Sequence, residues 1–286
     1  MLINSIVELN RWRNSIHGRV GLVPTMGALH EGHATLLRKI RPRCDFSVLS
    51  VFVNPTQFGP LEDLAKYPRT LEQDIRVAEK EGVDIVFAPT PQEMYPSGYS
   101  TYVEETRLEL PLCGQVRPGH FRGVTTIVLK LFNLVRPQLA LFGLKDAQQF
   151  FVLNKMVQDL NLDLRIEGVS TVREIDGLAL SSRNIYLTPD ERKRAPLIYQ
   201  TLQNLRQSSV SAQSLRAAQE GLEAHGFQVQ YLERLALPDL STPPLTSIDS
   251  SAPSLIAIAA RLGNTRLIDN VIQNPERLES LGIYTI

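Results

Sequence analysis

Apolar residues in the first two thirds of the chain alternate between short continuous runs and spacings of three and four positions. Such runs are typical of strands buried on both faces of a sheet, and such spacings are typical of helices packed against it. The predicted strands occupy residues 20–23, 46–53, 84–89, 139–142 and 164–172. The predicted helices occupy residues 6–16, 34–40, 70–81, 124–135 and a stretch ending near 160. This alternation predicts an α/β fold with a Rossmann-like, doubly wound parallel sheet that ends at strand 164–172.

The pattern changes after Asn184. Thr188 begins a typical helix start, with proline at the first helical position and glutamate at the third. The elements predicted beyond it are helices at 190–208 and 212–225, a strand at 227–235, a loop at 238–253, and a hairpin with arms at 255–262 and 265–272. The hairpin turn falls on Gly263 and Asn264. This part of the chain therefore predicts a smaller α+β domain.

Composition narrows the class of protein. The 286 residues suit two domains, which we place at 1–176 and 177–286. The formal net charge is zero, which gives no basic footprint for nucleic acid. Cys44 and Cys113 have no paired spacing, so we expect no disulfide framework. No leader or bilayer-spanning stretch is visible, so we expect a cytoplasmic protein without membrane contact.

Two histidines lie where a predicted strand hands over to a helix. Residues 24–33 read Pro-Thr-Met-Gly-Ala-Leu-His-Glu-Gly-His, which places His30 and His33 at the helix start. Helix N-termini attract anions through unpaired N–H groups and the helix dipole, and protonatable imidazoles would add donors. Gly32 leaves room for a flat base or a ribose. Taken alone, these histidines could equally be surface or capping residues, and their spacing does not match the i, i+4 zinc pattern.

Other polar loops also follow predicted strands. Ligands of doubly wound sheets bind beyond the carboxyl ends of the strands, so these loops are expected to face one another. The loop 54–60 carries Gln57, and the loop 143–149 carries Lys145 followed by Asp146, a candidate helix cap. A loop glutamine is commonly only solvated and a loop lysine only exposed. Their position at strand ends favours ligand binding for both.

Two further loops carry charged or hydroxyl side chains. The loop 113–123 contains Arg117 and His120. The loop 176–184, at the predicted domain junction, contains Ser181, Ser182 and Arg183. It is either a plain loop or a loop that folds over a triphosphate, and interdomain clefts are favoured ligand sites.

Together these segments resemble the pantothenate synthetases, a family of the H-x-G-H nucleotidylyltransferase superfamily. The resemblance covers nearly the whole chain and rests on motifs in this order at 24–33, 52–58, 67–70, 117–121, 143–149 and 180–184. It implies a nucleotidylyltransferase-type fold and ATP-dependent condensation of (R)-pantoate with β-alanine through a pantoyl adenylate. AMP and pyrophosphate would be released. It also implies a Mg²⁺ requirement and a homodimer.

The resemblance also implies residue roles. The catalytic set, with His33 as proton donor, would be His33, His30, Lys145, Ser181, Ser182 and Arg183. Backbone and side-chain contacts to ATP would come from Met26, Gly27, Ala28, Leu29, His30, Glu31, Gly32, His33, Gly143, Leu144, Lys145, Asp146, Val172, Leu180, Ser181, Ser182 and Arg183. Gln57 would contact pantoate and β-alanine, and Gln149 would contact pantoate. Arg117 and His120 are further cleft candidates. Asp74, on the helix that Thr70 is expected to cap, is a candidate Mg²⁺ contact, although Mg²⁺ is more often held by phosphates and water.

One position departs from the family pattern, and two other functions stay open. Leu144 stands where the family often has glutamate, so nucleotide affinity could differ. An adenylyltransferase that moves AMP onto a phosphorylated acceptor would share the histidine motif but would not need the paired glutamines. A non-catalytic nucleotide-binding protein would leave several charged strand-end loops unexplained.

Overall fold

The computed structural model describes residues 1–59, 62, 64–208, 210–242 and 252–286. Its strands, in chain order, are β1 (Leu2–Ile3), β2 (Val20–Thr25), β3 (Phe46–Val51), β4 (Ile85–Phe87), β5 (Leu139–Gly143), β6 (Arg165–Val169), β7 (Phe227–Ala236), β8 (Ser254–Leu262), β9 (Thr265–Gln273) and β10 (Tyr284–Thr285). Its α-helices are α1 (Ile6–Ser15), α2 (Glu31–Ile40), α3 (Leu71–Lys80), α4 (Pro91–Met94), α5 (Cys113–Val116), α6 (His120–Val135), α7 (Ala147–Asp159), α8 (Pro189–Arg194), α9 (Leu197–Gln207) and α10 (Ala212–Ala224).

The larger sheet has seven parallel strands in the order β1-β4-β3-β2-β5-β6-β10. Neighbouring positions on a strand point to opposite faces, so both faces carry a core. Leu22 lies in the core under α1, α6 and α7, whereas Val23 lies in the core under α2 and α3. The predicted doubly wound parallel sheet is confirmed.

The smaller sheet is antiparallel, in the order β7-β8-β9, and α9 and α10 cover one of its faces. Ile256 and Ile258 pack under these helices, and the alternate residues Leu255 and Ala257 pack against the core of the larger sheet. The predicted hairpin turn at Gly263 is confirmed, with a positive φ of 56°. The smaller sheet is therefore sandwiched between its own helices and the first domain.

Several sequence expectations need correction. Strand 164–172 is shorter, at Arg165–Val169, and is not the last strand, because β10 pairs with it in parallel. The helix predicted at 124 begins four residues earlier, after Gly119 in the left-handed region at φ 77°. Neither Thr70 nor Asp146 caps its helix through a side-chain hydrogen bond.

The second half of the chain does not stay in the second sheet. We keep the division at 176/177 as a proposal for the segments up to Gln273, after which the chain returns to the larger sheet as β10. Residues 243–251 of the predicted loop at 238–253, and Pro60 of the loop at 54–60, lie outside the described residues. Among the helices of the described residues, none is long and apolar enough to cross a membrane.

Candidate active site

The polar loops predicted to face one another do line a single cleft. It lies at the carboxyl ends of β2, β3, β5 and β6, with the 180–183 loop on its rim. The predicted site residues that line it are Met26, His30, Gly32, His33, Gln57, Arg117, His120, Gly143, Lys145, Asp146, Gln149, Val172, Leu180, Ser181, Ser182 and Arg183. The predicted site residues that do not line it are Gly27, Ala28, Leu29, Glu31, Asp74 and Leu144. The gathering of these loops follows from the parallel sheet, whose carboxyl ends share one edge.

His30 and His33 cap α2 reciprocally. The Nδ1 atom of His30 accepts from the N–H of Gly32 at 3.1 Å, and the Nδ1 atom of His33 accepts from the N–H of His30 at 3.3 Å. The rings lie 4.1 Å apart between centroids. Because each Nδ1 is an acceptor, each neutral ring carries its hydrogen on Nε2. The capping interpretation is confirmed, and the anion-site interpretation stays a prediction for the Nε2 atoms of the same residues.

Both imidazoles are held neutral. Burial, with Lys145 nearby, lowers the pKa of His30 to about 4. Burial, then His30 and Lys145, lowers the pKa of His33 to about 3. The sequence suggested that protonated rings would supply hydrogen-bond donors here. In the structure the donors are neutral Nε2–H groups, which offer a hydrogen bond without adding a positive charge.

Asp74 is hydrogen-bonded to the turn between β2 and α2. Its carboxylate accepts from the N–H of Ala28 at 3.1 Å and from the N–H of Leu29 at 2.8 Å, and it is 2 % exposed. Ala28 lies at φ 51°, and a Cβ at Gly27 would come within 2.9 Å of the Asp74 carboxylate. Both carboxylate oxygens are thus engaged outside the cleft lining. Asp74 holds this tight turn, and we propose that this, rather than contact with Mg²⁺, is its main role.

Gln57 is buried rather than solvated, and its amide is oriented by a chain of hydrogen bonds. The hydroxyl of Tyr95 donates to Oδ1 of Asn54 at 2.8 Å, and Nδ2 of Asn54 donates to Oε1 of Gln57 at 3.0 Å. This leaves the NH₂ group of Gln57 as the end that faces Met26, at 3.2 Å from its sulfur. A Cβ at Gly123 would lie 2.5 Å from the Thr56 carbonyl, so α6 closely backs this loop. The cleft therefore receives a donor from Gln57.

Arg117 and His120 form one connected group on the next wall. Arg117 makes a bidentate ion pair with Glu62, at 2.6 Å for both contacts. Nδ1 of His120 lies 2.8 Å from the carbonyl of Gln57, and its Nε2 lies 3.2 Å from an Arg117 guanidinium nitrogen. A carbonyl only accepts and a guanidinium only donates, so the ring is neutral with its hydrogen on Nδ1. Burial beside Arg117 accordingly lowers the pKa of His120 to about 4.

Lys145 and the 181–183 loop supply the cationic side of the cleft. Lys145 follows β5 in a short 3₁₀ turn, and among the described residues no carboxylate lies within ion-pair distance of its ammonium group. The guanidinium of Arg183 lies 5.9 Å from the ring centre of Tyr67. Leu144 packs against Gly168 in the interior, so its side chain adds nothing to the cleft.

Tyr67, Asn54 and Tyr95 were missed as site residues by sequence reasoning. Tyr67 lines the cleft and its hydroxyl is hydrogen-bonded to Ser182, although burial dominates and raises its pKa. It thereby joins the segment after β3 to the loop from the domain junction. The only sequence signal for Tyr67 was its place in the 67–70 motif, and Asn54 lay in the same loop as Gln57.

A sequence model of the pantoate-beta-alanine ligase family matches residues 1–272. The chain belongs to this family. The pantothenate synthetase of Heliobacterium modesticaldum is 47% identical over 289 residues, covering 95% of this chain and 98% of the relative. That of Thermotoga neapolitana is 47% identical over 286 residues, covering 95% of this chain and 99% of the relative.

Solved structures of the family share the fold. The pantothenate synthetase of Thermus thermophilus has a TM-score of 0.86 at 46% identity, covering 94% of this chain and 98% of that one. The Francisella tularensis pantoate-beta-alanine ligase, complexed with beta-gamma ATP and beta-alanine, has a TM-score of 0.82 at 33% identity, covering 95% of this chain and 97% of that one. The family resemblance inferred from the motifs is confirmed.

Proposed function

We propose that the cleft condenses (R)-pantoate with β-alanine at the expense of ATP, which is split to AMP and pyrophosphate. The observation that carries this proposal is that one cleft holds both the neutral histidine pair at a helix start and the amides of Gln57 and Gln149. The first group suits phosphate oxygens, and the second suits hydroxyls that must both donate and accept. Family membership and the ligands of the Francisella tularensis enzyme support the same substrates.

The first step joins two anions. A carboxylate oxygen of pantoate attacks the α-phosphorus of ATP, and the bond to the bridging oxygen breaks, so that its electron pair leaves with pyrophosphate. Lys145 and Arg183 offset the charge repulsion, while the Nε2–H groups of His30 and His33 donate to phosphate oxygens. Pre-oriented donors at developing charge are commonly worth roughly 3–4 kcal/mol each. The neutral state of His33 makes it a hydrogen-bond donor rather than an acid that is charged beforehand.

The second step releases AMP. The free amine of β-alanine attacks the carbonyl carbon of pantoyl adenylate, and the C–O bond to AMP breaks as the amine loses its proton. Gln57 directs its NH₂ group into the cleft, where it would hold a pantoate oxygen, and Gln149 lines the same cleft from the segment after β5. The substrate supplies both nucleophiles, so no serine or cysteine nucleophile is required.

Mg²⁺ fits this proposal as a partner of the nucleotide. Among the residues that the structure describes, no group of three or more His, Cys, Asp or Glu could hold a metal ion. Mg²⁺ commonly keeps several waters and binds substrate phosphates, so the phosphates of ATP would hold it here. When bound, it would neutralise part of the triphosphate charge. The homodimer and the cytoplasmic location stay predictions from the sequence.

A substrate screen tests the proposal against the adenylyltransferase alternative. The protein is incubated with ATP and Mg²⁺, with and without pantoate, β-alanine or a mononucleotide acceptor, and AMP and pyrophosphate are measured. The proposal predicts that AMP accumulates only when pantoate and β-alanine are both present. Adenylation of the mononucleotide with no reaction of pantoate would overturn it.

A further inference from the structure

The smaller domain reaches the cationic side of the cleft through two adjacent residues of β9. Asn270, which is 7 % exposed, donates from its Nδ2 to the carbonyl of Leu144 at 2.8 Å and to the carbonyl of Lys145 at 2.9 Å. Two carbonyls can only accept, so they require the NH₂ end of the amide in this place. The 3₁₀ turn that presents Lys145 is therefore tied to the second sheet.

Asp269 connects β9 to the 181–183 loop, which lies on the cationic side of the cleft with Lys145. It is 4 % exposed and makes a bidentate ion pair with Arg173, at 2.6 and 2.9 Å. Arg173 also donates to the carbonyl of Gly177 at 3.1 Å and forms a β-bridge with Ala179. The short hairpin so formed leads directly into Ser181.

The contacts made by Asp269 and Asn270 are linked to each other. An oxygen of the Asp269 carboxylate accepts from the backbone N–H of Asn270 at 2.8 Å, which fixes the Asp269 side chain against the main chain of its neighbour. A buried, fully hydrogen-bonded network of this kind has little freedom to shift. Lys145 and the 181–183 loop thus take their relative positions from β9 rather than from the larger sheet alone.

From these contacts we infer that Asn270 is a positioning residue of the ATP site that acts through Lys145, with Asp269 holding the opposite loop. The inference rests on the proposed function, in which Lys145 faces the phosphates of ATP. Asn270 lies outside the main cleft and touches the backbone of the Lys145 turn instead. Loss of its amide would leave Lys145 present but misplaced.

A double-mutant cycle tests this inference by calorimetric titration with ATP. Asn270→Ala is expected to weaken ATP binding by about tenfold, because small misplacements of a binding group cost heavily. In the Lys145→Ala background the same change should alter ATP affinity by less than about twofold, since the group that it positions is gone. The KM for β-alanine should stay near the wild-type value, because its proposed contact is Gln57, which is held by Asn54 after β3.

Controls separate positioning from general destabilisation. Gln273→Ala lies on the same strand and, within the described part of the chain, loses bonds to Ser254 and Arg206 only, so it should bind ATP like the wild type. If Asn270→Ala does not fold, Asn270→Ser gives a neutral side chain that is too short to hold both carbonyls, and it should give the same result. Unchanged ATP affinity in the Asn270 variants, or an equal loss with and without Lys145, would overturn the inference. Failure of the wild type to bind ATP would instead overturn the proposed function.

Discussion

The tautomers of His30 and His33 are set by hydrogen bonds from the backbone around them. Each Nδ1 accepts a main-chain N–H, so each ring keeps Nε2–H for the cleft, and burial keeps both rings neutral. The sequence predicted the residue types and their place at a helix start. It could not predict their protonation, because the lowered pKa values come from burial and from Lys145, which is distant in the sequence.

His33→Ala is expected to lower kcat by about 100-fold or more, with a modest loss of ATP affinity, because its donor matters most in the transition state. Steady-state kinetics with saturating pantoate and β-alanine measures the effect. His225→Ala is the matched control, since that histidine lies exposed at the end of α10. A near wild-type kcat for His33→Ala would remove His33 from the mechanism.

The orientation of Gln57 gives a second test. Tyr95→Phe removes one of the hydrogen bonds that orient Asn54, while those to Thr56 and to the carbonyl of Gly123 remain, so the hold on the Gln57 amide is weakened. We expect the KM for pantoate to rise by about fivefold, the scale of one lost hydrogen bond, with little change in the KM for ATP. Gln57→Ala should weaken pantoate binding further.

Tyr102→Phe serves as the control for this test, because the Tyr102 ring packs edge to face against Tyr99 and is 39% exposed. An unchanged KM for pantoate in both Tyr95→Phe and Gln57→Ala would contradict the placement of pantoate. The sequence alone could indicate Gln57 from its position after a strand. It could not indicate Tyr95, which approaches Asn54 from 41 positions away.

At the scale of elements, the turn between β2 and α2 depends on α3. Asp74 holds the N–H groups of Ala28 and Leu29, and Thr70 donates to the same carboxylate at 3.3 Å instead of capping α3 through the backbone. The sequence suggested Asp74 as a metal contact because a carboxylate near a phosphate site is a common ligand. In the structure its oxygens accept hydrogen bonds from the backbone of a turn in which Ala28 has a positive φ.

Asp74→Asn replaces one of the two carboxylate oxygens with an NH₂ group, so one of the two backbone N–H donors loses its acceptor. We expect it to lower the free energy of unfolding by about 1–3 kcal/mol, measured by urea denaturation, since buried groups lose their partners. The Mg²⁺ concentration that gives half-maximal activity should not change. The exposed Glu72 on the same helix gives the control, Glu72→Ala. A shift in the Mg²⁺ dependence without loss of stability would restore the metal role.

The elements that the sequence predicted well are those with strong periodicity. The helices α3 and α10 and the β8–β9 hairpin lie within one or two residues of their predicted bounds. The two-residue strands β1 and β10 were missed, because so short a segment carries no periodic signal. Their pairing depends on long-range placement of the two chain ends at the sheet edges.

At the scale of the whole molecule, three neutral histidines, of which His120 is buried and His30 and His33 are half-buried, link stability to pH. The pKa values of His30 and His120 fall to about 4 and that of His33 to about 3, while an unfolded histidine titrates near 6.5. The unfolded chain therefore binds more protons below that pH. The stabilisation is complete above about pH 6.5 and is lost as the pH falls toward 4.

Urea denaturation at several pH values measures this dependence. The free energy of unfolding should decrease steadily between about pH 7 and 5, and His120→Gln should reduce the slope because one titrating group is removed. His17, which is largely exposed, gives the control substitution, His17→Gln. A free energy of unfolding that stays constant over this range would contradict the neutral state of the three histidines.

The two-domain arrangement could be predicted only in outline. The change of pattern after Asn184 indicated a second unit, but Leu255 and Ala257 join its sheet to the first core. The second unit also contributes to the cleft, because Asn270 of β9 is hydrogen-bonded to the Lys145 turn. Such contacts depend on how two sheets pack, which hydrophobic periodicity along one chain does not encode.

We propose that pantoate is adenylated directly by ATP in this cleft. The most direct test of this proposal is the exchange of labelled pyrophosphate into ATP, with Mg²⁺ and pantoate present and β-alanine absent. Reversible formation of pantoyl adenylate predicts that label enters ATP only when pantoate is added, and that His33→Ala exchanges far more slowly. Label that enters ATP without pantoate, or no exchange by a protein that binds both ATP and pantoate, would contradict the account.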